Sequence, residues 1–125
     1  MPPAALPFAA SPVAVPVVPG MVDEASGIAD SPANPGCLWV EEDSGNTPEL
    51  YLLKYDGSLL KKITIKGAQN RDWEDMARSG SDLFIAETGD NNKAYADYAF
   101  YKFPEPSEAI DTIYQFETIR FQYPD

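Results

Sequence analysis

Residues 50–65, with the sequence LYLLKYDGSLLKKITI, predict the β-hairpin from which the fold assignment starts. Large apolar side chains alternate along both halves of this stretch, which is the period-2 pattern of β-strands. The two halves meet at Asp56 and Gly57, a dipeptide that readily adopts the positive φ angles of a tight hairpin turn. We therefore expect two antiparallel strands joined at this turn.

Six further segments have a strand-like pattern and are separated by loop residues such as Pro35-Gly36 and Ser79-Gly80. These segments are residues 24–29, 37–42, 72–77, 83–87, 96–103 and 117–123. No segment has a sustained 3.6-residue apolar period, so we expect little helix. The chain is predicted to be all-β.

The chain also resembles itself at an offset of about 44–48 residues, with a similar polar loop at 43–46 and 87–90. Each copy predicts four strands in about 40–50 residues, which is the length of one β-propeller blade. We therefore expect two consecutive four-stranded antiparallel blades of an incomplete β-propeller, with blade one at about 22–67 and blade two at about 70–125. The alternative is a small antiparallel sandwich whose strands match by chance.

Two blades by themselves leave apolar faces uncovered, because stacked repeats bury their cores only against neighbouring repeats. We expect either that the chain is an N-terminal fragment, whose partners are the remaining blades, or that it associates with copies of itself. The final residues favour a fragment, since a strand-like alternation at 119–123 is followed by the start of a turn at Pro124-Asp125.

Residues 1–20 carry no charge and contain six of the twelve prolines. Proline fixes φ and lacks a backbone N–H, so this segment predicts an extended tail or a leading strand that covers a neighbouring blade. A cleaved signal peptide is the alternative, although the segment has no basic n-region and its apolar run is broken by proline. No stretch of the sequence is long and apolar enough to predict a membrane span.

The charge of the chain restricts its function, since 20 acidic and 9 basic residues give a net charge of −11. This charge repels the phosphates of nucleic acids and favours cationic or metal partners. The sequence has no histidine, which excludes Ser/His/Asp and Cys/His triads and zinc sites built on imidazole. Its single cysteine, Cys37, cannot form an internal disulfide.

Two motifs, NRDWEDMA at 70–77 and ETGDNN at 87–92, resemble those of a family of largely uncharacterised, mostly bacterial β-propeller proteins of a phytase-like or esterase-like type. Further matches to that family are SGIA at 26–29 and the residues LW and DSG within 38–45. The resemblance covers about residues 24–125. The chain departs from the family at Ala86-Glu87, where the family usually has Gly-Asp.

This resemblance implies a full propeller that is usually exported, and therefore an extracellular or periplasmic location. It also implies that later functional residues lie on blades beyond Asp125. It does not specify a reaction, so whether a full-length relative is an enzyme is left open.

Acidic and amide side chains recur at loop positions in both repeats, without nitrogen or sulfur ligands beside them. Oxygen ligands suit a hard cation, and irregular loops suit Ca²⁺ better than Mg²⁺. Since the loops on one face of a propeller gather around a central channel, we expect these side chains to converge. The predicted metal ligands are Asp43, Asp75, Glu87, Asp90 and Asn91. The alternative is that they are solvated turn residues, since Asp and Asn favour loops by bonding to nearby backbone.

Glu74, which follows Trp73, is the candidate general acid or base, with a solvent-facing strand residue as the alternative. Three functions remain open. The chain is a scaffold that binds a small ligand or a partner and carries a Ca²⁺-type site, or it is part of a metal-dependent hydrolase of phosphate or carboxylic esters that is inactive as this fragment. The third hypothesis is a self-assembling propeller module.

Overall fold

The computed structural model describes residues 10–17, 22–43, 47–90 and 93–124. Within these ranges the chain forms nine strands and no helix. The strands are β1 Ala25–Asp30, β2 Cys37–Glu42, β3 Glu49–Lys54, β4 Leu59–Ile65, β5 Trp73–Ser79, β6 Asp82–Glu87, β7 Tyr98–Pro104, β8 Thr112–Ile113 and β9 Glu117–Phe121. The all-β prediction is confirmed, and it follows that no helix in the described part of the chain could cross a membrane.

The strands form two sheets, and neither sheet closes on itself. The first sheet has the order β1-β2-β3-β4-β8, and the second has the order β5-β6-β7-β9. All neighbours are antiparallel except β4 and β8, which run parallel. The expectation of four strands in each sheet is therefore correct for the second sheet and wrong for the first. The fifth strand, β8, comes from the second half of the chain, and its two residues are too few to produce an alternation in the sequence.

The β3–β4 hairpin lies where residues 50–65 predict it, but its turn differs from the expected one. Gly57 has a φ of 87°, whereas Asp56 is not among the described non-glycine residues with positive φ. The amide of Gly57 donates to the carbonyl of Lys54 at 2.9 Å, and the register shifts next to Leu53. A single left-handed glycine followed by a bulge thus closes the turn.

The two halves of the chain share an unusual backbone geometry. The register of β1 against β2 shifts between Ala25 and Gly27, and that of β5 against β6 shifts between Trp73 and Asp75. Beyond each shift the pairs correspond, since Ala29 lies opposite Trp39 as Ala77 lies opposite Phe84. The internal repeat seen in the sequence is therefore also a repeat of strand register.

The register also corrects the sequence alignment at the loops. Glu42 pairs with Ala25, and Glu87 pairs with Trp73, so Glu42 is the counterpart of Glu87. The alignment of the polar loops had placed Asp43 opposite Glu87, one residue away. A polar tetrapeptide is too short to determine the register that the strand ladder imposes.

The two sheets pack through opposite faces. We call the side that carries Ala29 and Trp39 the front face of the first sheet, and the side that carries their counterparts Ala77 and Phe84 the front face of the second sheet. The other side of each sheet is its back face. The shared core joins the front face of the first sheet to the back face of the second. Its buried side chains include Trp39, Leu50, Leu52, Ile63, Trp73, Met76, Leu83, Ile85 and Phe103.

Side-chain hydrogen bonds tie the two halves together at both ends of this core. Ser26 donates its hydroxyl to the carbonyl of Trp73 at 2.8 Å, which joins β1 to β5. At the other end, the indole of Trp39 and the hydroxyl of Ser31 donate to the carboxylate of Glu105, at 2.9 and 2.6 Å. Two sheets that share one core and these bonds form a single packed unit.

The described part of the N-terminal segment, residues 10–17, contains neither a strand nor a helix. It lies over the back face of the first sheet, where Val15 and Val17 face Leu38 and Val40 across a groove. The carbonyl of Pro16 approaches Gly57 so closely that a Cβ atom there would overlap with it. This part of the segment therefore packs on the sheet of its own first repeat.

Candidate cation site

Three carboxylates from the two sheets meet where β2 ends and β5 begins. Asp43 follows β2, Asp72 precedes β5, and Glu74 is the bulged residue of β5. One carboxylate oxygen of each lies within 4.8 Å of the others. Asp72 is buried, Asp43 is half-buried and Glu74 is exposed, so this acidic triad opens to solvent on one side.

Asn70 brings the end of the first sheet against the start of the second. Its side-chain amide donates to the carbonyls of Glu42 and Asp43, at 2.9 and 3.0 Å. Its side-chain oxygen accepts from the amide of Trp73 at 3.1 Å, which fixes the first residue of β5. One asparagine therefore sets the position of Asp43 relative to the two acidic residues on either side of Trp73.

Gly89 lies directly against two carboxylates of the triad, those of Asp72 and Glu74. Its amide donates to the carbonyl of Asp72 at 3.1 Å. A Cβ atom at this position would overlap with the carboxyl group of Asp72 and with Oε1 of Glu74. The glycine of the GDNN motif is thus required for the two carboxylates to approach the loop backbone.

The triad is electrostatically unfavourable in the absence of a cation. Burial, together with hydrogen bonding and repulsion from Asp43 and Glu74, raises the pKa of Asp72 to about 7. Close carboxylates share a proton because they cannot all ionise without cost. A bound divalent cation would replace that proton and offset the repulsion.

A second unusual carboxyl group, that of Glu41, lies buried between the sheets. Neither of its oxygens has a hydrogen-bond partner among the described residues. Burial, and then repulsion from Asp75, Glu87 and Glu74, raises its pKa to about 9. Glu41 is therefore a neutral acid at pH 7, packed against Gly27, where a Cβ atom would overlap with it.

The structure separates the predicted metal ligands. Among those that the structure describes, Asp43 alone belongs to the triad. Glu87 is buried and accepts hydrogen bonds from the backbone amides of Arg71 at 3.0 Å and Asp72 at 2.5 Å, so it fixes the position of the chain where β5 begins. Asp75 is exposed and accepts the amide of Met76 at 2.8 Å.

Of the remaining two predicted ligands, Asp90 is among the described residues and Asn91 is not. Asp90 accepts hydrogen bonds from the amides of Ala94 and Tyr95 and from the hydroxyl of Tyr98. Although partial burial opposes it, these bonds lower the pKa of Asp90. Asp90 thus stabilises its own loop, which is the alternative that the sequence left open. Asn91 lies outside the described residues.

The candidate acid or base, Glu74, is a member of the triad. It is exposed, whereas the neighbouring Trp73 is buried in the core. Asp72 was not among the predicted ligands. The available signal was its place in the NRDWED motif, where Asp72 and Glu74 are two residues apart and therefore fall on the same side of an extended chain.

Comparison with known proteins identifies no relative, since no family model matches the chain and neither a curated protein nor a solved structure matches it. The resemblance to a propeller family therefore stays a prediction from the motifs.

Proposed function

We propose that this chain is a β-propeller-type scaffold of two stacked repeats, and that its acidic triad binds a divalent cation, Ca²⁺ in preference to Mg²⁺. The single observation that carries the cation site is the convergence of Asp43, Asp72 and Glu74 from two different sheets. The propeller assignment is supported separately, by the way in which the repeats stack.

The stacking favours a propeller over a closed sandwich. A sandwich closed by a two-fold relation buries the same face of both repeats and leaves neither core face open. Here, the front face of one repeat packs on the back face of the next. A front-to-back arrangement repeats by rotation and leaves one apolar face free at each end, as a propeller segment requires.

The ligand chemistry favours Ca²⁺. The triad supplies only oxygen atoms, from two loops and a bulge rather than from one regular element. Ca²⁺ accepts six to eight oxygens in flexible geometry, whereas Mg²⁺ demands a near-ideal octahedron. Three carboxylates leave positions for water or for a ligand, so the site also supports a binding function.

The expected affinity is modest. The predicted export would place the protein where Ca²⁺ is abundant, and extracellular calcium modules have dissociation constants of about 10⁻⁴–10⁻³ M. A site that must release a proton from Asp72 binds more tightly as the pH rises from 6 to 8.

Isothermal titration with Ca²⁺ tests the site. We expect Glu74→Gln to weaken Ca²⁺ binding by at least about tenfold, since one of three anionic ligands is lost. Glu108→Gln is the matched control, because Glu108 is exposed and lies outside the triad. Equal affinity of the two variants would reject the cation site, and a circular dichroism spectrum of each variant verifies its fold.

Metal-assisted hydrolysis of a phosphate or carboxylic ester is the second candidate function. It is favoured by the exposure of Glu74, which leaves one carboxylate of the triad accessible to a substrate. Turnover of nitrophenyl esters that depends on Ca²⁺ and is lost in Glu74→Gln would support this function. Equal rates with Ca²⁺ and with a chelator would exclude activity of this chain by itself, which is also the outcome expected if further blades are needed to complete the site.

A further inference from the structure

The second sheet has a front face with an apolar patch that no other strand of the described part of the chain covers. The apolar side chains of this patch are Ala77, Phe84, Ala86, Phe100, Ile119 and Phe121. Charged side chains border it, since Asp75, Lys102 and Glu117 lie on the same face and Lys102 Nζ lies 5.8 Å from the centroid of the Phe84 ring. Phe100 and Ile119 are 36% and 45% exposed, and the rings of Phe100 and Phe121 stack at 5.1 Å. A depression of about 100 Å³ opens between Ala77, Phe84 and Phe100.

The in-chain interface indicates what this face binds. By register, it is the counterpart of the front face of the first sheet, where Trp39 is fully buried against the second sheet. The surface that covers Trp39 is the back face of a repeat. The same kind of surface, a back face, is therefore the complementary partner of Phe84 and Phe100.

The chain has one other back face, that of the first sheet. Val40, Tyr51 and Leu53 form its apolar centre, and Ile28 at its edge is 62% exposed. A front face and a back face at opposite ends of one chain cannot meet each other directly, whereas those of two copies can. Among the described residues, the complementary partner of the front face is therefore the back face of a second copy.

The N-terminal segment lies over that back face, whose central side chains Val40, Tyr51 and Leu53 are 5%, 8% and 4% exposed. A groove of about 310 Å³ remains between Val15 and Val17 on one side and Ile28 and Val40 on the other. Val15 and Val17 are themselves 44% and 42% exposed. A second copy therefore reaches this back face only if the segment leaves it, and the exchange is favourable because a whole sheet buries more apolar area than two half-exposed valines.

We propose that the front face of the second sheet binds the back face of the first sheet of a second copy of this chain, and that residues 10–17 leave that back face when the copies associate. This inference rests on the repeat stacking of the proposed function and is independent of its cation site. The contact is head-to-tail, so it continues from copy to copy until a ring closes.

Sedimentation equilibrium of the full chain tests this proposal through complementary variants. The wild type is expected to form concentration-dependent species heavier than the 13.7 kDa monomer. Phe100→Asp blocks the front face and Ile28→Asp blocks the back face, and each is expected to weaken association by at least about tenfold, because the interface would bury an unpaired carboxylate. Ile110→Asp, at an exposed position outside the strands of both sheets, is the control that retains association.

Mixing the two blocked variants gives the decisive result. Each variant keeps the face that the other has lost, so an equimolar mixture is expected to form a species of twice the monomer mass and nothing larger. A mixture that stays monomeric would overturn the proposal, as would a wild type that is monomeric at the highest concentration tested.

The cation site is measured in the same samples. Glu74→Gln is expected to weaken Ca²⁺ binding without a change in association. Phe100→Asp is expected to weaken association without a change in Ca²⁺ binding. Failure of the docking proposal is thereby distinguished from failure of the proposed cation site.

Discussion

The first and second repeats have corresponding strand registers in β1–β2 and β5–β6, but they differ in the side chains at equivalent positions. In both repeats a glutamate at the end of the second strand accepts an amide from the start of the first, as Glu42 does from Glu24 and Glu87 does from Asp72. At the bulge, however, Ser26 in the first repeat corresponds to Glu74 in the second. The bulge thus serves as a link between sheets in one repeat and as part of the triad in the other.

A second difference concerns the position beside the bulge. Glu41 lies opposite Gly27 in the first repeat, and Ala86 lies opposite Asp75 in the second. The first repeat therefore buries a carboxyl group where the second has a methyl group. The two repeats therefore share the hydrogen bonds from backbone amides to Glu42 and Glu87, but they differ in the acidic residues that they place between the sheets.

The largest expected effect comes from removing the ionisable group that Glu41 has and Ala86 lacks. A carboxyl group with a pKa of 4.5 unfolded and about 9 folded binds more protons when folded, so the free energy of unfolding falls as the pH rises through this window. Glu41→Gln cannot ionise and escapes this loss. We expect it to be more stable than the wild type by on the order of 4 kcal/mol at pH 8, with little difference near pH 5.

Chemical unfolding at several pH values in the presence of a chelator measures this difference. Asp72, whose pKa is raised to about 7, also makes the free energy of unfolding fall as the pH rises. Because Asp72 is present in both proteins, its contribution cancels in the difference between them. Stability curves for wild type and Glu41→Gln that run parallel between pH 5 and 8 would show that Glu41 is not buried as an acid.

The next prediction compares how much Glu42 and Glu87 stabilise the fold by accepting backbone amides. Glu87 accepts two backbone amides, at 3.0 and 2.5 Å, whereas the bond from Glu24 to Glu42 is longer, at 3.4 Å. Removing a buried acceptor leaves its donors unsatisfied, so we expect Glu87→Ala to lose about 2–3 kcal/mol and Glu42→Ala about 1 kcal/mol. Urea unfolding measures both, and a larger loss for Glu42→Ala would contradict the comparison.

The smallest effect concerns the segment that covers only the first repeat. Gly57 and Gly36 have φ angles of 87° and 81°, so alanine at either position costs about 1–2 kcal/mol of backbone strain. Only at Gly57 would the new Cβ atom also overlap with Pro16. We expect elastase to cleave within residues 10–17 faster in Gly57→Ala than in Gly36→Ala, and equal cleavage would mean that the segment does not rest on this turn.

Sequence patterns predicted the candidate site less well than the fold. Of the four predicted metal ligands that the structure describes, Asp43 lies in the triad, whereas Glu87 and Asp90 accept backbone amides. A carboxylate that binds a cation and one that accepts an amide have the same residue type and the same loop context. Only the partners available in three dimensions distinguish them.

The all-β class and the approximate positions of eight of the nine described strands follow from the amino-acid sequence, because alternation and turn residues are local properties of the chain. Which face each sheet buries does not follow, because β6 is apolar on both sides: Phe84 and Ile85 are neighbours, yet Ile85 enters the core and Phe84 faces outward. Tertiary structure also decided the parallel strand β8 and the meeting of Asp43 with Asp72 and Glu74. These features depend on contacts between residues distant in the chain, which the local pattern of neither partner encodes.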